Sequence, residues 1–202
     1  MPKPYHALVL HALHPQTSFH RYHQGLPEYV GLDNPAIDVM TDLTRVKAVT
    51  IAPSTLIDTA LQKMIHAEVR LLLVVDTPNV LLGLITARDI MGEKPVNYAA
   101  KVRVSHETIL VDHIMTPAVN IQVLRITDIL NATVGDIIVT LKEANRQHAL
   151  VVETTSSAGS GNNEIVRGIF SLTQIGKQLG VEIQTTERLQ SFAELGALLL
   201  RT

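Results

Sequence analysis

The chain has 202 residues and a mass of 22.1 kDa, 46% of it hydrophobic and 18% charged. This balance excludes a disordered polyelectrolyte, and on a prior of about 150 residues per domain the length leaves room for one or two domains. Seventeen Lys and Arg against nineteen Asp and Glu give a net charge of −2, without the basic excess that binding a phosphate backbone uses, so nucleic acid is not an expected partner. Cysteine is absent, which removes disulfides and thiolate metal sites. No apolar run approaches the roughly 18 residues of a membrane span. The first residues carry His, Pro and Tyr where a secretory signal needs an apolar core, so a soluble, cytoplasmic protein with no membrane partner is expected.

In chain order, residues 1–37 come first and hold His6, His11, His14, His20 and His23 together with Pro2, Pro4, Pro15 and Pro27. Histidine clusters can bind zinc, but no H-E-x-x-H spacing is present and the nearby acids are Glu28 and Asp33. This segment therefore reads as a partly extended docking segment, with no metal site and no metal-dependent enzyme.

Residues 38–92 and 111–180 then repeat one series of signals. The first unit starts at Asp38-Val39-Met40-Thr41, passes through Leu71 to Asp76 and reaches Gly83-Leu84-Ile85-Thr86-Ala87-Arg88-Asp89. The second starts at Asp112-His113-Ile114-Met115-Thr116, passes through Ala149 to Glu153 and reaches Gly168-Ile169-Phe170-Ser171-Leu172-Thr173-Gln174. Ile57, Ala60, Leu61, Met64 and Ile65 recur at helical spacing behind Thr55 and Asp58, a capping-box pattern; Thr133 and Asp136 open the matching helix of the second unit. Leu71 to Val75 and Ala149 to Val152 read as buried strands. Thr77-Pro78-Asn79 reads as a tight turn, and the Ser- and Gly-rich stretch from Thr154 to Asn163 as a longer loop. It is not a phosphate loop, since no Gly-Lys-(Ser/Thr) enters a helix there.

Residues 93–110 read as a connector whose Lys94, Lys101 and Arg103 either steer a phosphate or, the preferred reading, are solvated charges. Residues 181–202 predict an amphipathic helix through Leu189, Phe192, Leu195, Leu198 and Leu199. A unit of 55 to 70 residues is marginal as a lone core, so the two are expected to pack together. The fold class is α/β (α+β): two repeats, each β-α-β-β-α, related by a pseudo-twofold axis.

The order of these elements and the repeated Gly-x-x-(Thr/Ser) ends resemble a tandem CBS-domain pair, the Bateman module. The resemblance implies a non-catalytic regulatory protein that binds an adenosine-containing ligand between its repeats, such as AMP, ADP, ATP or another adenosyl compound, with no required cofactor. By the same resemblance Asp89 accepts hydrogen bonds from ribose hydroxyls and the Thr86 hydroxyl lies near phosphate. Arg88 adds a charge-assisted contact. The adenine end would be built by the mate of the unit that supplies the acid: Thr116 and Ile121 on its first strand, Gln147 and His148 at the start of its next.

Four of these residues also have a plainer reading. Thr86-x-x-Asp89 is a capping box in its own right, His148 suits a strand edge beside the core, and Ile121 suits the core itself. In the second unit Ser171 keeps the hydroxyl, but Gln174 replaces the acid and Ser171-x-x-Gln174 is again a capping pattern, so one competent site per chain is expected. The resemblance further implies a homodimer and a regulated protein partner whose identity the sequence does not give. The alternative is a structural or protein-interaction module whose nucleotide pockets have lapsed.

Overall fold

The apolar spacing and β-rich runs fold as their periods require in the computed structural model of the chain, which describes residues 27–76, 80–157 and 160–183. After a 3-10 turn at Ala36–Val39 come strands β1 (Thr41–Asp42) and β2 (Thr50–Ile51), helix α1 (Ile57–His66), strands β3 (Leu71–Asp76) and β4 (Val80–Thr86), and helices α2 (Ala87–Met91) and α3 (Lys94–Val102). The second half gives α4 (Val111–Ile114), β5 (Thr116–Pro117), β6 (Val123–Arg125), α5 (Ile126–Ile129), α6 (Val134–Glu143), β7 (His148–Ser157), β8 (Ser160–Ser171) and α7 (Leu172–Leu179). The N-terminal histidines, the turn at 77–79 and the C-terminal amphipathic segment from residue 184 lie outside the described residues.

Two four-stranded sheets result, ordered β2-β3-β4-β5 and β1-β8-β7-β6. In each, a central antiparallel hairpin (β3 with β4, β7 with β8) receives a parallel strand from before its helix, β2 or β6. The fourth strand of each sheet comes from the other repeat: β5 pairs with β4, setting Thr116 opposite Leu84, and β1 pairs with β8, setting Thr41 opposite Ile169. Thr116, expected on the second unit's own first strand, thus belongs to the first sheet. Isolated bridges join Leu56 to Leu110 and Pro35 to Thr133 at equivalent points. Glu68 and Asn145 both take positive φ, 54° and 51°, just beyond α1 and α6. These matched features realise the α/β fold of two β-α-β-β-α repeats about a pseudo-twofold axis.

The exchange depends on two glycines. A Cβ on Gly83 would run into the carbonyl oxygen of Thr116 on β5, and one on Gly168 would sit 2.5 Å from the Met40 sulfur. It also satisfies helix starts. The expected Thr55–Asp58 capping box does not form: α1 begins after Leu56 with no side-chain cap, and its first amide, on Ile57, donates to the Ile109 carbonyl at 3.1 Å. Backbone from the connector has taken the role a side chain was expected to fill. At α6 the Thr133–Asp136 box is complete, and the bonds from the Thr133 amide and hydroxyl hold the Asp136 carboxyl below its ordinary range.

Each sheet carries its helices on one face, around Ile57, Met64, Leu72 and Ile85 in one unit and Ile138, Leu141, Phe170 and Ile175 in the other. The opposite faces meet through Leu71, Leu73 and Leu150, with Leu81, Leu84, Ile121 and Ile169 packed around them. At roughly 1.5–3 kcal/mol per buried aliphatic side chain, this seam is a sufficient reason for two marginal units to associate.

Arg167 on β8 forks onto Asp42 of the exchanged β1 at 3.0 and 3.1 Å and reaches Glu153 at 3.3 Å. Burial pushes the Asp42 carboxyl up, but the Thr44 bonds and Arg167 outweigh it and hold it below the ordinary value. The stretch expected as a long loop after Thr154 is mostly strand, because the β7–β8 ladder continues through Thr154–Glu164 and Thr155–Asn163.

Candidate functional site

Where β4 runs into α2, Thr86 becomes the N-cap of the helix and Asp89 its third residue, and the capping box closes completely. The Asp89 Oδ2 accepts from the Thr86 amide at 2.9 Å and from its hydroxyl at 2.7 Å, while the Thr86 Oγ1 accepts from the Asp89 amide at 3.2 Å. The other carboxylate oxygen, Oδ1, is 2.7 Å from the Lys94 ammonium. Lys94 is therefore not a solvated charge of the connector: it opens α3 with its head folded back on Asp89, and it also donates to the Ile114 carbonyl at 3.2 Å. The capping reading is realised, and Asp89 still faces a cavity with 15% of its side chain exposed.

That cavity has a volume of about 330 Å³, within the range of small-molecule sites. It lies at one end of the seam between the sheets, and Thr86, Arg88, Asp89, Thr116, Ile121, Gln147 and His148 all line it. The seven residues picked from sequence are thus brought together. Its apolar wall is Leu71, Leu84, Ile121 and Leu150; its polar wall is Thr86, Asp89, Thr116, Gln122, Asn145, Gln147 and His148, with Arg88 and Arg146 adding cationic groups. Arg146 had no periodic signal to mark it. It follows the left-handed turn at Asn145 that ends α6, and its guanidinium reaches the Gln122 carbonyl at 3.5 Å.

His148 opens β7 opposite Ser171 and sits half-buried at the cavity wall. Burial drives its pKa down from 6.5 to about 4, with Arg70 adding to the push and Asp89 opposing it. The imidazole is neutral at physiological pH and offers one donor and one acceptor.

Beyond Arg88 and Gln147 the cavity adjoins a groove between α2 and α7 that carries Arg70, Arg88 and Lys177 against one acid, Glu182. None of these three cations forms an ion pair among the described residues. The joined surface is locally positive in a chain whose net charge is −2.

The equivalent corner of the second unit is finished differently. Ser171 caps α7 with backbone alone and makes no side-chain cap bond, so the second capping box expected from sequence is absent. Gln174 extends its amide along the helix to the Gln178 carbonyl oxygen at 3.5 Å, and Gln178 in turn donates to the Pro27 carbonyl at 2.7 Å and the Asp38 carbonyl at 3.3 Å. A carboxamide with its own N–H donors is drawn along the helix, whereas a carboxylate accepts only and turns back to the free amides at the helix start. Neither Ser171 nor Gln174 lines the cavity that holds Asp89. Among the described residues no cluster of three His, Asp or Glu is placed to hold a metal ion, and no helix is long and apolar enough to cross a membrane.

Residues 36–95 match the family model of the CBS domain. The fold is similar to that of an uncharacterised conserved protein from Pyrococcus horikoshii, with a TM-score of 0.51 at 21% identity over 80% of this chain and 99% of that one. It is equally similar to a CBS-domain-containing protein from Agrobacterium tumefaciens, with a TM-score of 0.50 at 21% identity over 79% of this chain and 98% of the other. No curated protein sequence matches the chain.

Proposed function

We propose that this chain, whose residues 36–95 match the CBS-domain model and whose fold is similar to that of a CBS-domain-containing protein, is a non-catalytic regulatory module binding one adenosine-containing nucleotide in the Asp89 cavity. The observation that carries this reading is the convergence of Thr86, Arg88, Asp89, Thr116, Ile121, Gln147 and His148 on one cavity of suitable size. The aliphatic wall of Leu71, Leu84, Ile121 and Leu150 suits a base, Asp89 takes a ribose hydroxyl, and Arg88, Arg146 and Arg70 draw phosphate to the open end.

Leu84, Thr86, Asp89 and Thr116 belong to the first sheet and its corner, whereas His148 and Leu150 belong to the second. A ligand touching both units stabilises whichever relative placement it binds better, and that difference in affinity is the size of the signal it can send. Assembly as a homodimer and control of a separate protein partner belong to the same proposal.

A second reading has one specific observation behind it: the Thr86–Asp89 box satisfies the helix start without any ligand, as it would in a purely structural or protein-interaction module. Thermal denaturation with AMP, ADP, ATP and other adenosyl compounds separates the two. At about a hundredfold excess over Kd, a ligand bound only to the folded state adds about 2.7 kcal/mol, a rise of roughly 5–10 °C for a chain of this size. The regulatory reading expects such a rise with at least one compound and its loss in Asp89→Ala. A cooperative melt that no compound moves supports the interaction module instead.

A further inference from the structure

Taking the Asp89 cavity as the nucleotide site, the geometry points to Lys94 as a positioning residue that makes this carboxylate read one ribose hydroxyl instead of two. A carboxylate offers about four lone-pair directions, two on each oxygen. On Oδ2 both are taken, by the Thr86 amide at 2.9 Å and the Thr86 hydroxyl at 2.7 Å. On Oδ1 one is taken by the Lys94 ammonium at 2.7 Å. One direction remains, so an arriving vicinal diol finds a partner for one of its hydroxyls while the present contacts persist.

Two features make the Lys94 contact part of the site's frame. Lys94 is not among the residues that line the cavity, whereas Asp89 is, so the ammonium holds the acid without itself lining the space a ligand would fill. It is also held by a second bond, to the Ile114 carbonyl at 3.2 Å, two residues before Thr116 on the cavity wall. One ammonium thus ties the acid on α2, the start of α3 and the segment leading into β5. Losing it frees a second lone pair on Oδ1 and lets the carboxylate rotate toward a diol.

The test is equilibrium binding of an adenosine nucleotide and its 2′-deoxy and 3′-deoxy forms to the full chain, for wild type, Lys94→Met and Lys94→Arg. In the wild type, one deoxy form is expected to bind about tenfold or more weakly and the other within about twofold of the parent, since a hydrogen bond to a charged group is worth roughly a tenfold change in affinity or more. In Lys94→Met both deoxy forms are expected to weaken, and Lys94→Arg restores the wild-type profile. A role confined to holding the fold would lower melting temperature and all three affinities together without changing the profile. Wild-type penalties of similar size for both deoxy forms overturn the inference, as does a Lys94→Met profile like the wild type's. Absence of binding by all three nucleotides to a folded wild type overturns the proposed function itself, and this inference with it.

Discussion

The two strand-to-helix corners, at Thr86–Asp89 and Ser171–Gln174, stand at equivalent places in the two sheets and are finished by different chemistry. In the first, a carboxylate that lines the cavity closes the helix cap with one oxygen and pairs with Lys94 through the other. In the second, a carboxamide leaves the cap open and joins Gln178, whose own amide fastens the chain at Pro27 and Asp38. One corner faces a cavity; the other contributes to anchoring the N-terminal segment against α7. A fold can thus be duplicated while its chemistry is not: the acid at one corner closes a helix cap, and the amide at the other bonds along its helix instead.

The strand exchange gives the largest expected contrast between the two halves. Gly83→Ala drives a Cβ into backbone, the Thr116 carbonyl, whereas Gly168→Ala meets the flexible Met40 side chain. Gly83→Ala is expected to cost about 2–3 kcal/mol by denaturant unfolding, and Gly168→Ala less than half of that, because a thioether can repack and a paired strand cannot. Equal losses would mean that the two exchanged strands are held alike.

Acid is expected to weaken the cavity side through His148. Its folded pKa of about 4 lies below the ordinary 6.5, so between these values the unfolded chain binds the extra proton and stability falls as pH falls. The loss from this residue is complete near pH 4 and on the order of 1–3 kcal/mol. Unfolding free energies from pH 7 to 4 should slope downward in the wild type and much less in His148→Gln. Asp42 and Asp136, both lowered, add their loss further down, as pH falls through their depressed values. A His148→Gln slope as steep as the wild type's would remove His148 from the account.

The smallest expected effect is the most pointed. Gln174→Asp gives the second corner the acid it lacks and should complete a capping box with Ser171, raising stability by about 0.5–1 kcal/mol. Asp89→Ala should lower it by a similar amount or somewhat more through loss of its own box. If Gln174→Asp destabilises instead, the bond to Gln178 matters more than an empty cap.

Much of this arrangement was legible in the sequence because duplicated signals reinforce each other: helical spacing from Ile57 to Ile65, the leucine run at Leu71, and a glycine-led strand ending in Thr86. Seven of the residues that line the cavity were legible because the family resemblance pointed to both of its sides. The exchange of β1 and β5 was not, since strands of two residues have no period to read. Nor was the role of Lys94, which lies five positions beyond Asp89, past the end of α2, where no helical spacing links the pair. The failed boxes at Thr55 and Ser171 have one cause in common: a capping pattern states what side chains can do, and the connector backbone or a neighbouring glutamine can offer a better partner.

The proposed function makes the two corners unequal, with a ligand held only at the first. Titration calorimetry of the full chain with the adenosine compound that most raises its melting temperature tests this directly. One molecule bound per chain is expected for the wild type and none for a folded Asp89→Ala. Two equivalent molecules per chain, or binding that survives in Asp89→Ala, would contradict it.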